Sequence, residues 1–514
     1  MRTLILIWIW IRRLPATFTL YFIGFMAVFL LLSSSIVNVY LPQLTEAAGK
    51  MLLPDTVWNT IRNWSIVKVG AGGVVVLVLI GISVLISYNL AALIYRRFRT
   101  RTSLAAITPF TPAPSGQAAG LDLAAKHLKS FQRIGIILAG GGAKGAYQAG
   151  AMKAIYEFLA ANDCLKKVRM ISGTSIGSWN AMFWLSDLVV SGNGQDSAME
   201  TWWKNVSVKR IIEFDSYVPF GKNSFLLSTP WQENFDALFS QSQVRDHLGR
   251  LFSCGRDGAS QPGEPIHFYF TRSNVGSAQL EFATNSLQVR TVSSADRRTV
   301  TFRPDRYEVI DLDNVNKCID RAKIGVFASM DLPPLFPYAT VRTNMTEEFE
   351  DGGVIDNLPI LFGTQIEHCD LLFVLPLNAT FADEINRHSL AHRLLRVMDV
   401  RQGVLEQNSL KMMYLYNELA EAKAALAAAG GGEPASLAKR TARPVSAFVI
   451  CPGGKLAIGT GEFWKTTEAG DAFDLMYAYT KSELQTNFHT LARPEKIQMV
   501  VIGPQGQRSV IEDF

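Results

Sequence analysis

The chain has 514 residues, enough for one large domain or two of ordinary size. A composition 48% hydrophobic and only 18% charged, with mean hydropathy +0.14, points to membrane segments, and a net charge of +5 over this length makes no case for nucleic acid as a partner. Five cysteines (Cys164, Cys254, Cys318, Cys369, Cys451), odd in number and without a CxxC pair, argue against a disulfide framework or a zinc site and suit a reducing compartment.

The N-terminus accounts for the hydrophobicity. Leu14 to Thr45 is uncharged and long enough to cross ~30 Å of hydrocarbon. A second uncharged run, Val69 to Tyr95, stops at RRFRTR. TLILIWIWI, ahead of Arg12, is too short to span and is read as interfacial or as an extension of the first helix. The competing reading of the first run, a cleaved signal peptide, fits poorly because the run is too long and shows no clear small-residue cleavage site. Residues 1–101 are therefore expected to form a membrane anchor with two transmembrane helices, at about 18–42 and 69–95. Arg2, Arg12 and Arg13 precede the first span, and Arg96, Arg97, Arg99 and Arg101 follow the second. The intervening loop mixes Lys50, Arg62 and Lys68 with Glu46 and Asp55. By the positive-inside rule both ends are cytoplasmic, on the inner membrane if the cell is bacterial.

TSLAAITPFTPAPSGQAAG reads as a flexible tether, so residues 102–132 are expected to be a linker, closing in a short helix at LDLAAKHLKSF. From Arg133 the pattern alternates: strand Ile134–Leu138, a glycine loop, helix Tyr147–Leu159, strand Val168–Ser172, a sharp turn, then a helical run from Trp179. That rhythm implies α/β, a mostly parallel sheet with helices packed on it. IHFYFTRSNVGSAQLEFA reads as two strands around a turn, and CDLLFVLPL, VSAFVIC and IQMVVI as further strands. Leu390 to Ala429 is a charged, increasingly alanine-rich helical region, read as solvated and structural.

The chemistry sits in three short motifs. In ILAGGGAKGAYQAG an apolar strand empties into Gly140, Gly141, Gly142 and Gly145 before a helix, an arrangement that brings bare N–H groups close to a negative group. A P-loop would need Lys-Ser/Thr after Gly145, and Ala146 and Tyr147 stand there. A dinucleotide site would need an acid at the end of the next strand, which instead runs into GTSIG, Gly173 to Gly177. GTSIG matches G-x-S-x-G, the strained strand-to-helix turn that exposes a serine nucleophile, here Ser175. The negative group is then read as an oxyanion met by the glycine N–H groups. For the base, His368, His388, His392 and His489 are candidates in an α/β-hydrolase order, though none lies in a catalytic motif. The other candidate is EDGGVIDNLP, with Asp351 on a glycine turn.

Taken in this order, the three motifs resemble those of the patatin-like phospholipases: GGGAKG (Gly140–Gly145), GTSIG and DGG (Asp351–Gly353). ASMDLPPLFP, Ala328 to Pro337, is similar to a further family element but carries Asp331 where a small residue is usual. Lys144 stands where many members have arginine, keeping the charge and losing the planar donor fork. The resemblance covers roughly Arg133 to Leu375 and leaves the spans and the C-terminal region unexplained.

The resemblance implies a three-layer fold with a central mostly parallel sheet, preceded by the transmembrane hairpin. Residues 133–375 would be the catalytic domain, and 376–514 a helical and strand extension packed on it. It further implies a Ser175–Asp351 dyad without histidine, an oxyanion hole of Gly140, Gly141 and Gly142, and supporting roles for Lys144, Gly145, Gly173, Gly177, Gly352 and Gly353. No cofactor or metal is called for. The implied activity is hydrolysis of fatty-acyl esters of phospholipids or lysophospholipids, with membrane lipids as substrate, the bilayer as partner and no nucleic acid. An acyltransferase or neutral-lipid lipase on the same dyad, or a catalytically silent membrane scaffold, are the alternatives. The apolar stretch Tyr217 to Trp231, between serine and acid, reads as core, or else as a cover that dips into lipid.

Overall fold

A computed structural model describes residues 18, 20–29, 65–97, 119–192, 194–214, 224, 226–253, 265–286, 307–309, 315–332, 336–337, 339, 348–378, 390–428, 443–454 and 456–512. Most of the first expected span, much of the linker, residues 215–223 of the apolar stretch, Cys254 and His388 lie outside them. The chain forms two compact units. One comprises Met1–Thr102, Ile211–Pro230 and Pro334–Pro337; the other comprises Ser103–Arg210, Trp231–Pro333 and Tyr338–Phe514.

The larger unit is built on one ten-stranded sheet. Over both units the described strands in chain order are β1 (Ile134–Leu138), β2 (Val168–Gly173), β3 (Glu213–Phe214), β4 (Leu226–Leu227), β5 (His267–Asn274), β6 (Gln279–Thr284), β7 (Tyr307–Val309), β8 (Phe349–Asp351), β9 (Leu371–Leu375), β10 (Ser446–Pro452), β11 (Met499–Ile502) and β12 (Arg508–Ile511). Of these, β3 and β4 pair only with each other. The sheet runs β12-β11-β10-β9-β1-β2-β5-β6-β7, with β8 also on β5. Pairing is parallel from β11 through β5, and antiparallel at β11–β12, β5–β6 and β5–β8.

Central parallel strands are covered on both faces, so they can be apolar throughout. β1 and β9 are buried at every position. Helices flank the sheet: α1 (Gly145–Ala161) after β1, α2 (Ile176–Leu185) after β2, α3 (Val315–Met330), α4 (Leu390–Ala428) and α5 (Thr466–Thr486). The expected strands at 134–138, 168–172, around the 275–278 turn and in CDLLFVLPL, VSAFVIC and IQMVVI all appear. The C-terminal region contributes β10, β11 and β12 to the same sheet beside β9.

In the smaller unit, a helix spans Ser65–Arg97, and within it Leu77–Ile94 is long and apolar enough to cross a membrane. Its flank is apolar and exposed, with Leu77 at 69% and Val78 at 55% of their accessible surface. Two of its polar side chains turn back on its own backbone, Ser83 Oγ donating to Leu79 O and Asn89 Nδ2 to Leu85 O, each at 2.8 Å. A shorter apolar helix runs over Leu20–Phe29. The ends of the 211–230 segment belong to this unit. Phe214 of β3 stacks on Phe18 with ring centroids 3.9 Å apart, and both rings meet Tyr88 edge-on. Ala91, Ala92 and Leu226 complete the cluster. Phe214 just before the stretch expected to be core or cover, and Leu226 within it, thus pack with the N-terminal helices, whereas Trp231 at its end packs on Trp179 and Trp202.

Candidate active site

The topology brings the three motifs to one edge of the sheet. β1 and β2 are parallel neighbours in register Leu138↔Gly173, so the glycine loop and GTSIG leave the sheet side by side at their carboxyl ends. β5 lies on the other side of β2, and antiparallel β8 sets Asp351 opposite Arg272, two residues past the β2–β5 pair Gly173↔Phe270. Three segments, the first and last more than 200 residues apart, therefore converge on one point.

Ser175 holds the strained conformation that G-x-S-x-G predicts, with φ 53° and ψ −125°. For a non-glycine residue this costs of order 1–3 kcal/mol and persists only where its surroundings over-determine it. Here they do. The Ser175 N–H donates to Ser329 Oγ at 2.8 Å, and Ser178 Oγ donates to Ser175 O at 2.6 Å. Thr174 N–H donates to Leu138 O at 3.1 Å, and its hydroxyl bonds that of Thr271 at 2.6 Å. The glycines admit the tight turn: a Cβ on Gly177 would lie 2.4 Å from Leu138 O, and one on Gly173 2.5 Å from Ser178 N.

The Asp351 carboxylate lies beside the Ser175 side chain and accepts, through Oδ1, from Gly353 N–H at 2.7 Å. Its own N–H donates to Asp331 O at 2.8 Å, and its carbonyl accepts from Ser273 Oγ at 2.9 Å. Both members are nearly closed off from water, at 7% exposure for Ser175 and 5% for Asp351. Burial pushes the Asp351 carboxyl up to about 7, against the opposing pull of Ser175 and Gly353. A carboxylate that is a weak base in water is thereby poised near neutral pH.

The glycine loop lies against this pair. A Cβ on Gly140 would sit 3.0 Å from Ser175 Cβ. Two of the loop amides are engaged: Gly140 N–H donates to Asn357 O at 3.3 Å, and Ala143 N–H donates to Thr460 O at 2.8 Å. Between them stand Gly141 and Gly142, the latter at φ +57°. Buried Lys144 turns away from the serine, its Nζ bonding Asn378 Oδ1 and pairing with Asp399 at 3.1 Å.

Two of the histidine candidates stand elsewhere. His368 leads into the amino end of β9, the opposite end of the sheet from Ser175. His489 lies in a short helix, Phe488–Leu491, in the segment leading to β11. Among the described residues no group of three His, Cys, Asp or Glu is placed to hold a metal ion.

Residues 136–362 match the family model described as patatin-like phospholipase. The chain carries a patatin-like phospholipase domain. Among solved structures, VipD from Legionella pneumophila aligns over 69% of this chain and 67% of its own, at 15% identity and a TM-score of 0.30. Comparison with curated proteins gives no match. The patatin-like domain spans the glycine loop, Ser175 and Asp351, and its family supports lipid acyl hydrolase activity in general terms.

Two contributors to this patatin-like site were not singled out from sequence. Ser329, which accepts from the Ser175 N–H, lies in ASMDLPPLFP, so the family-like segment was itself the signal. The other is α4, which lies beyond residue 362 and sets several side chains against the Asp351–Pro359 turn. Arg401 donates to Val354 O at 2.6 Å, Ser409 bonds Asp356 Oδ1 at 3.4 Å, and Glu406 accepts from Asn357 Nδ2 at 2.6 Å. The helix read as solvated and structural is also one wall of the site.

Proposed function

We propose that the protein is a membrane-anchored serine lipid acyl hydrolase that cleaves fatty-acyl esters of phospholipids or lysophospholipids. The observation that carries this reading is the buried pairing of Ser175 with Asp351 at a strained elbow, beside a glycine loop, within a patatin-like domain. Ser175 Oγ attacks the ester carbonyl as its proton passes to Asp351. The carbonyl oxygen becomes an oxyanion held by the loop amides, those of Gly141 and Gly142 foremost. Collapse expels the lipid alcohol, which takes the proton from Asp351, and leaves an acyl-Ser175. Water, deprotonated by Asp351, then attacks the acyl carbon and releases the fatty acid. Gly145, Gly173, Gly177, Gly352 and Gly353 allow the backbone to pack this closely. We assign residues 133–375 to the catalytic domain and 376–514 to an extension that shares its sheet.

The test is fatty-acid release from defined phospholipids, lysophospholipids and neutral glycerides, with Ser175→Ala as control. Release from a phospholipid or lysophospholipid by the parent alone is the expected result. Release from glycerides only would replace the substrate class, and no release from any of them would defeat the reading.

The anchor is assigned as a two-span hairpin with the catalytic domain in the cytoplasm, on the exposed apolar flank of Leu77–Ile94 and the arginine distribution. A reporter fused after Phe514 and one inserted near Asp55 should give opposite readings. The same reading at both sites overturns the hairpin.

A further inference from the structure

We propose that Glu406 is a positioning residue for the oxyanion loop: from a helix outside the family match, it fixes Asn357 and Asn378, which grip the loop at Gly140 and Lys144. The proposal rests on the reading of that loop as an oxyanion hole.

Glu406 is 2% exposed. Its Oε1 accepts from Asn357 Nδ2 and from Asn378 Nδ2, each at 2.6 Å, and its Oε2 accepts from the Asn378 backbone N–H at 3.0 Å. A carboxyl oxygen that accepts from both amides dictates which way each faces, because only the NH2 side can meet it. Asn357 Nδ2 spends its second hydrogen on Gly140 O at 3.0 Å, while Asn357 O receives the Gly140 N–H. The Gly140 residue is thus held through both its N–H and its carbonyl by one asparagine. Asn378, with its NH2 on Glu406, is left with Oδ1 toward Lys144 Nζ.

A second contact from the same helix closes the other end of the loop. Asp399 lies seven residues before Glu406, two turns along one face. It pairs with Lys144 and accepts from Thr460 Oγ1 at 2.6 Å, and Thr460 O holds the Ala143 N–H. Gly140 and Ala143 are therefore both anchored from α4, with Gly141 and Gly142 suspended between them. Burying a carboxylate is a poor way to gain stability, since a well-packed apolar side chain often does as well or better. What this one supplies is orientation: without it the Asn357 amide is free to turn, and a turned amide sets an oxygen against Gly140 O.

The experiment uses the full-length protein and measures kcat and KM per active site titrated with a fluorophosphonate, so that misfolded molecules are not counted. Glu406→Gln keeps the volume and two acceptor bonds but sets an NH2 against a donor, the Asn378 N–H; Glu406→Ala removes all three. Turnover should fall about 10-fold in the first and about 100-fold in the second, with KM within about threefold, as expected when an oxyanion donor is displaced rather than deleted. Each loss should be strongly non-additive with Gly141→Ala, because both act on one loop. A helix that only stabilises the fold would lower the melting temperature, leave kcat per titrated site unchanged and give multiplicative losses. Unchanged kcat in Glu406→Gln, or a multiplicative double variant, overturns the proposal. If the parent releases no fatty acid, the functional reading fails separately, and the rate of phosphonylation of Ser175 still decides. The phosphonyl oxygen occupies the same loop, so about 10-fold slower labelling in Glu406→Gln supports the proposal and parent-like labelling overturns it.

Discussion

Asp351→Asn is expected to abolish ester hydrolysis while making the folded protein more stable at pH 8. The loss of activity follows from the dyad: with one group to take the Ser175 proton, removing it should cost as much as Ser175→Ala, on the order of 10³–10⁶ in turnover, and the two together no more than either. The stability gain follows from linkage. The folded-state carboxyl is raised to about 7 by burial, far above its ordinary value of 3.8. Between those two values the unfolded chain has lost the proton and the folded one has kept it, so stability falls as pH rises through the window and is flat above it. A rise of about three pH units at ~1.36 kcal/mol each makes the cost of ionising Asp351 in place up to roughly 4 kcal/mol above pH 7. An asparagine keeps an oxygen for the Gly353 N–H and avoids that cost. The variant should therefore melt above the parent at pH 8 and level with it at pH 4. The parent's kcat/KM should rise with pH to a plateau above about 7, since the ionised form is the base. An asparagine ahead of Gly352 deamidates back to aspartate, so Asp351→Ala runs alongside as the activity control. Appreciable hydrolysis by Asp351→Ala would remove Asp351 from the mechanism and return the histidines to consideration.

The contrast between Asp351 and Glu406 explains which parts of the site could be read from sequence. Asp351, Ser175 and the loop glycines sit in turns where the backbone itself must do something unusual, so the requirement is written into three to six consecutive residues. A φ of 53° at Ser175 and a 2.4 Å approach at Gly177 leave few alternatives to G-x-S-x-G. The strands were legible for a similar reason, because continuous apolar runs such as those of β1 and β9 suit only a doubly covered sheet. Glu406 has no such local mark. Its partners lie 28 and 49 residues away, and α4 carries exposed apolar side chains such as Val397 and Met412 among its charges, which masks the one face that meets the site. The same limit applied to residues 211–230. The apolar run that begins at Tyr217 was plain, but that Phe214 would stack on Phe18 rather than join the sheet depends on a contact between segments almost 200 residues apart.

Gly141→Ala is expected to lower turnover by ~10²–10³ while leaving attachment to lipid vesicles unchanged. Gly141 has φ 170°, outside the left-handed region, and the obstacle is space. The added methyl would lie 2.8 Å from Leu377 Cδ1 and 3.0 Å from Leu377 Cβ. The Cδ1 can rotate aside, but the Cβ is fixed by its own chain, and Leu377 is fully buried. The loop must yield instead, and it is pinned at Gly140 and Ala143, so the shift falls on the two amides between them. Losing one oxyanion donor costs about 3–4 kcal/mol of transition-state stabilisation, which is the predicted fall. Gly142→Ala is the wrong probe, because its methyl would lie 2.0 Å from Thr460 O and break the anchor itself. Adding Leu377→Ala to Gly141→Ala makes room for the methyl and should recover much of the activity. No recovery, with Leu377→Ala alone fully active, would show that the loss does not arise from displacement of the loop. The rival for the same glycines is a standing phosphate site. It predicts saturable binding of ATP or NAD to the parent by calorimetry, abolished by Gly141→Ala, and that result would take the oxyanion away from the loop.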